Sequence, residues 1–380
     1  MADSKYLRQI KQGADWWNQW RLRQGEKFGV PDLTGAELSE VQLAGADLKG
    51  CNFQRANLRK ADLSSADLTG VNFAAADLRD ADLSWSVVEG GNFAEARCDR
   101  LRWQGAKLRR AQLGQAYLAE TDLQGANLKG VCLRGVDFGH RDLRGLNLEA
   151  VNLSAANLST ADLTAANLVA ANLSGANLTK ANLSRAILNR TNLVQANLEK
   201  ALLDFASAIA ANFCQSVLRE ASAHRTNFGS AVLSGADFTG SNLSGAYLAD
   251  VHASEANFNR ADLTGANLQR FWGHRANFSQ AVLRGANLYE SSLLRADLTM
   301  ADLVGANLNG ADLGRANLTM ADLSQVSAMA TKFEQASLHR AILRDTLFLQ
   351  ANLKLANLGL ADIAGADFTG AVLLGAVIPK

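Results

Sequence analysis

Ala166-Asn167-Leu168-Val169-Ala170 is followed without a gap by Ala171-Asn172-Leu173-Ser174-Gly175 and Ala176-Asn177-Leu178-Thr179-Lys180, three copies of one five-residue rule. Working outward in both directions, the large central residue recurs at every fifth position from Leu33 to Ile378 with no slip of phase. Of these seventy positions forty-eight are Leu and twelve are Phe, and the residue two places earlier is Ala in forty-seven, so the rule defines a core. Ala and Leu alone favour helix. On an α-helix, however, five residues overshoot a full turn by about 140°, which would spread the Leu positions over every face. Two apolar positions spaced by two are strand alternation, and the polar pair that follows can turn the chain. Each repeat is therefore expected to form one short side of a coil.

The number of sides follows from like residues stacking in vertical files. Phe53, Phe73 and Phe93 are spaced by twenty, as are Phe238, Phe258 and Phe278, and Phe348 and Phe368. Twenty is the commonest separation among the central Phe residues, so four repeats make one coil. Asp also keeps to one side: Asp62, Asp82, Asp122, Asp142, Asp162, Asp262, Asp302, Asp322 and Asp362 share one position in the period of twenty. At a strand spacing of about 4.8 Å, seventy repeats predict a rod roughly 84 Å long.

On these residues the chain resembles the pentapeptide-repeat proteins, whose Ala-(Asp/Asn)-Leu-x-x pattern stands almost unaltered from Ala166 to Lys200 and extends over residues 31 to 378. The resemblance implies an all-β fold, a right-handed parallel quadrilateral β-helix (solenoid) with four pentapeptides per coil. That hand agrees with the general rule for parallel crossovers. The expected organisation is an N-terminal capping helix and linker at 1–30 and the repeat β-helix at 31–380. Pro31 and Pro379 bracket the repeats. Leu7, Ile10, Ala14, Trp17 and Trp20 lie on one stripe of a helix predicted to start near Asp3 or Ser4 and end at Gly25. It is placed to cover the first coil, whose edge would otherwise be unpaired.

Composition narrows the function. Lysine plus arginine number 38 against 37 for aspartate plus glutamate, a net charge of +1, so there is no whole-molecule attraction to nucleic acid or anionic membrane. No signal-peptide core or long uncharged apolar run occurs, which predicts a cytoplasmic protein. Cys51, Cys98, Cys132 and Cys214 are far apart and read as reduced structural residues. His140, His224, His252, His274 and His339 fall on several faces, with neither a metal pair nor an obvious Ser or Cys partner. An enzyme is not expected, nor is a cofactor or a bound metal. The expected role is a scaffold or interaction module for an unidentified protein partner.

The resemblance carries a second reading: some relatives mimic DNA and occupy a type II topoisomerase such as DNA gyrase. The Asp file could serve that purpose, but it is broken by Arg102 and edged by Lys60, Lys180, Lys200, Arg260 and Arg340. A corner hydrogen bond that Asp and Asn make equally well is the competing explanation.

Departures from the rule mark candidate sites. In Phe271-Trp272-Gly273-His274-Arg275 the large residue moves to the small position and Gly fills the centre. The coil can close with its packing inverted, which turns Trp272 outward near Arg270, His274, Arg275 and His252. Arg275, Arg295 and Arg315 should stack into a cationic strip able to meet phosphate, sulfate or carboxylate. Ordinary surface charge, partly paired with Asp297, is the alternative. Arg141 would face inward if the register held, so a bulge or a widened coil is expected between Val131 and Val151. Leu101 and Trp103 overfill their repeat among Arg97, Arg100, Arg102, Lys107, Arg109 and Arg110, a basic run that the solenoid would spread over two or more sides. At the C-terminal end Val372, Leu374 and Val377 occupy positions that are polar elsewhere, and the resemblance implies homodimerisation as one use for such an end.

Overall fold

A computed structural model describes residues 2–25, 29–118 and 120–379. The linker residues 26–28 lie outside the described residues, as does Lys380. Parallel bridges join residues twenty apart, from Asp32 with Asn52 to Asn357 with Val377, so a coil contains four repeats. Each side contributes a single bridging residue, and among the described residues no run is long enough to count as a strand. The corners explain this. The fifth residue of each repeat sits in the left-handed region, for example Arg55 at φ 56° and Gly305 at φ 68°, which limits the extended run to about three residues.

Main-chain bonding is regular in the first coils. In the first coil Leu33 N–H donates to Asn52 O at 2.8 Å, Gly35 N–H to Gln54 O at 2.8 Å, and Asn52 N–H to Pro31 O at 2.9 Å, while Ala36 N–H closes the corner on Leu33 O at 3.0 Å. The Asn or Asp carboxamide or carboxylate completes the turn by accepting the N–H two residues on: Gln54 N–H to Asn52 Oδ1 at 3.2 Å, Ser64 N–H to Asp62 Oδ1 at 3.0 Å. Asp and Asn do the same work here, which accounts for their alternation without a functional role.

The chain divides into two compact units, Met1–Gly139 with Leu143–Asn157 and Ala166–Leu173, and His140–Asp142 with Leu158–Ala165 and Ser174–Lys380. In the first unit Phe53, Phe73 and Phe93 touch in order, with ring centroids 5.4 and 5.2 Å apart. In the second, Phe238, Phe258 and Phe278 stack at 5.1 and 4.8 Å, and Phe348 and Phe368 at 4.9 Å. Buried hydroxyls at the small position donate to main-chain carbonyls, as Ser241 Oγ does to Phe238 O at 2.7 Å and Thr346 Oγ1 to Leu323 O at 2.7 Å. Ser291 Oγ is buried without a partner.

The N-terminal segment is two helices, not the single one predicted: α1, Ser4–Ile10, and α2, Ala14–Gln24. Gly13 takes φ 95°, a conformation that ends α1's direction and that a side chain would oppose. Asp3 caps α1 by accepting the Lys5 N–H at 2.8 Å. The pair packs against the first coil. Ile10 and Trp17 are fully buried, Asp3 N–H donates to Asp32 O at 3.0 Å, and Trp17 Nε1 donates to Asp47 O at 2.8 Å. Asn18 Oδ1 takes the Asp47 N–H at 2.7 Å, satisfying a donor of the coil edge.

Arg141 is half-exposed, so its charge escapes the core while its carbonyl still takes the Asp162 N–H at 2.8 Å. Leu101 and Trp103 both point inward and are buried, as the overfilled repeat implied.

Candidate interaction surface

Outward residues share faces because every coil repeats the same corners. On one side of the second unit, Phe271 has turned inward and is fully buried, and Trp272 stands out of the surface with 56% of its area exposed. Only glycine fits the centre of that repeat: a β-carbon on Gly273 would lie 2.6 Å from the Phe271 ring. Trp272 packs against His252 one coil earlier, ring centroids 5.3 Å apart and the planes tilted by 41°. His274 and Arg275 are exposed on the same side. Arg270 is held by both oxygens of Asp250, at 2.7 and 2.9 Å, so it is less free than its place in the sequence implied.

The strip of Arg275, Arg295 and Arg315 is exposed. Arg275 reaches Glu255 at 3.4 Å, and Arg315 Nε donates to the neutral Gln335 Oε1 at 3.0 Å. Among the described residues Arg295 has no ion pair; Asp297, its expected partner, instead accepts Thr299 Oγ1 at 2.5 Å and Asn317 Nδ2 at 3.4 Å. Beside Arg315 lies a shallow recess of about 230 Å³ lined by Leu294, Asp312, Gly314, Lys332 and Glu334. This side thus presents an aromatic ring, two guanidinium groups without carboxylate partners, and a small hollow.

The acidic file is not a bare anionic surface. Arg102 pairs with Asp82 at 2.8 Å, Arg284 with Asp302 at 2.5 Å and Arg344 with Asp362 at 2.6 Å. The Arg344 guanidinium holds the Asp362 carboxyl below its usual range.

The period of twenty brings His224 under Ser244, a partner that a search for neighbours along the chain missed and that adding twenty would have found. His224 Nδ1 lies 2.8 Å from Ser244 Oγ, and Asp204 stands one coil earlier in the same file. The three do not form a nucleophile with its base. Asp204 accepts the main-chain N–H of His224 at 2.9 Å, not its ring, and Ser244 Oγ donates to Asn242 Oδ1 at 2.7 Å. Burial pushes the Cys51 thiol up to about 12 and Cys98 higher still, the reverse of a reactive thiolate. Among the described residues no three His, Cys, Asp or Glu side chains gather as metal ligands, and no helix is long and apolar enough to cross a membrane.

At the other end of the second unit Val372, Leu374 and Val377 are exposed, Leu374 by 69%. The inward residues Ile363, Phe368 and Leu373 of that coil are half-exposed.

The family description "Pentapeptide repeats (8 copies)" matches residues 36–74, a continuous overlapping series from 104 to 270, and 274–310, 306–345 and 336–375. No curated protein sequence matches. Among solved structures, HetL, a pentapeptide repeat protein involved in heterocyst differentiation regulation from Nostoc sp. strain PCC 7120, is 30% identical over 67% of this chain and 92% of its own, with a TM-score of 0.22. A pentapeptide repeat protein of the Arabidopsis thaliana thylakoid lumen is 32% identical over 25% of this chain and 63% of its own, TM-score 0.16. QnrB1, a plasmid-mediated fluoroquinolone resistance protein, is 15% identical over 62% and 88%, TM-score 0.21.

Proposed function

Because the chain belongs to the pentapeptide-repeat family, whose members fold as right-handed quadrilateral β-helices and generally act as structural or interaction modules, we propose that it is a non-enzymatic cytoplasmic scaffold that grips a protein partner. The contact side is the one that bears Trp272, His274, Arg275, Arg295 and Arg315. Its partner presents carboxylate or phosphate groups. One observation carries this reading: a largely exposed indole shares a side with two arginines that no carboxylate among the described residues neutralises. Exposed Trp and Arg are the residue types that concentrate binding energy, and guanidinium matches carboxylate and phosphate oxygens in pairs.

The test is affinity capture with three baits: the parent, Trp272→Ala/Arg295→Glu/Arg315→Glu, and a control changed on another side, Arg225→Glu. A protein retained by parent and control and lost from the triple variant supports the proposal. Identical capture by all three rejects it.

The DNA-mimic alternative is weakened by the arginines that neutralise Asp82, Asp302 and Asp362. Inhibition or protection of gyrase supercoiling at micromolar protein would restore it. For the exposed end at Val372, Leu374 and Val377 the proposed occupant is a second copy of the chain, since apolar side chains and unpaired main-chain groups on an edge attract the like. Light scattering should give a dimer for the parent and a monomer for Leu374→Glu; equal masses would reject this contact.

A further inference from the structure

The ladder of the first unit is open on the side where residues 101–105 face 121–125. By the rule that holds in the coils below, Trp103 N–H should donate to Asp122 O, as Leu83 N–H does to Arg102 O at 2.7 Å. Among the described residues that bond is missing, and so is the Arg102–Asp122 bridge, while Gly105 N–H has slipped to Gly125 O at 3.0 Å. The next side has lost the bond from Leu118 N–H to Asp137 O, although Cys98 N–H to Tyr117 O and Leu113 N–H to Cys132 O are normal at 2.8 Å. Volume explains the break. Leu101 and Trp103 both point inward where Ala and Leu are the rule, and Trp103 meets Phe93 from the opposite side of the coil at 5.9 Å, so the excess displaces the coil above.

The opening is a cleft of about 490 Å³ whose lining includes Arg102, Trp103, Gln104, Asp122 and Gln124. Volumes of this order hold ligands in other proteins, roughly 300–1,000 Å³. Trp103 Nε1 is buried in the core without an acceptor among the described residues, and the main-chain N–H of Trp103 has lost the carbonyl it should meet at the cleft. A buried donor left unpaired costs about 1–3 kcal/mol, so acceptor atoms are in demand at this place. The cations of the lining are already matched: Arg100 with Asp80 and Glu120, and Arg102 with Asp82. Asp122 is not: among the described residues its Oδ1 takes only the Gln124 N–H, at 2.9 Å. Beside the cleft the exposed Trp85 ring covers Gly105, where a β-carbon would stand 2.4 Å from it.

We propose that this slot receives an extended peptide segment of a partner protein that carries a basic side chain. Its carbonyls complete the interrupted ladder, in the manner of strand addition to a sheet edge, and its lysine or arginine pairs with Asp122 beside the Trp85 ring. This proposal does not depend on the reading of the Trp272 side.

Two measurements test it on the full chain. Amide hydrogen exchange should find the Trp103 and Leu118 amides at least tenfold less protected than those of Leu83 and Leu113; equal protection would show that no slot exists. Panning a random twelve-residue peptide library should then enrich Lys- or Arg-bearing sequences. These should bind Asp122→Asn and Leu101→Ala/Trp103→Leu at least tenfold more weakly and Trp272→Ala unchanged. The double variant restores the repeat consensus, so it should fold and close the ladder, which its own exchange pattern verifies. No enrichment, enrichment of acidic sequences, or equal binding by the closed variant would each overturn the proposal.

Discussion

Phe271 occupies the room that Gly273 leaves: a β-carbon on the glycine would meet the ring at 2.6 Å and Leu293 Cδ2 at 3.0 Å. The two positions have exchanged their usual sizes and depend on each other. Gly273→Leu alone should destabilise by about 1–3 kcal/mol through overpacking. Phe271→Ala alone should destabilise by about 3–5 kcal/mol through the cavity it leaves. The double variant restores the repeat and should recover most of both losses, a coupling above about 1 kcal/mol in a denaturation cycle. Additive losses would show that the inverted packing is not a matched pair.

Ser291 lies one coil above Phe271 with its hydroxyl buried and unbonded. Ala is the usual residue at its position. Ser291→Ala should therefore stabilise by about 1 kcal/mol, read as a higher denaturation midpoint at unchanged slope. Ser241→Ala is the control, because that hydroxyl donates to Phe238 O at 2.7 Å and its removal should not stabilise.

Asn18→Ala removes the acceptor of the Asp47 N–H and should cost about 1 kcal/mol. Exchange should rise at the Asp47 amide and spread to the first coil before the second. Uniform protection in the variant would mean that the helices do not guard the edge.

The Thr369 hydroxyl and N–H, at 2.6 and 2.9 Å, hold the Asp367 carboxyl below its ordinary value of 3.8. Asp32, Asp80, Asp250 and Asp362 are lowered in the same sense by bonds from Thr34, Arg100, Arg270 and Arg344. A carboxyl whose folded value is depressed contributes stability above its unfolded value, and that contribution disappears as pH falls through the folded one. Thermal stability should thus be flat near neutrality and decline below about pH 4. Thr369→Val should move the Asp367 titration upward, towards 3.8, in a carboxyl carbon NMR series. An unmoved titration would assign the shift elsewhere.

Sequence reading recovered the files because they depend only on period. Phe53 over Phe73, Trp272 outward and Phe271 inward all follow from counting by five and twenty. Pairings one coil apart, such as Arg270 with Asp250 and His224 with Ser244, obey the same count but need the outward residues read vertically, not along the chain. The break at Gly13 was hidden because a glycine within an apolar stripe is compatible with one helix or two. The opened ladder above Trp103 was hidden for another reason: the phase is intact there, and the displacement comes from side-chain volume. Surface commitments, such as which arginine is neutralised and which is not, depend on rotamers that no period fixes.

The repeat has a genetic consequence. Removing or duplicating any block of twenty residues, such as 301–320, returns each following side chain to the file it came from. A change of five rotates every later residue onto the adjacent face and scrambles whatever pattern was displayed there, although the interior would still accept it. In-frame gain or loss of whole coils can therefore lengthen or shorten the display, while shorter indels re-address it. Lineages that keep a binding pattern are expected to differ from one another in multiples of twenty.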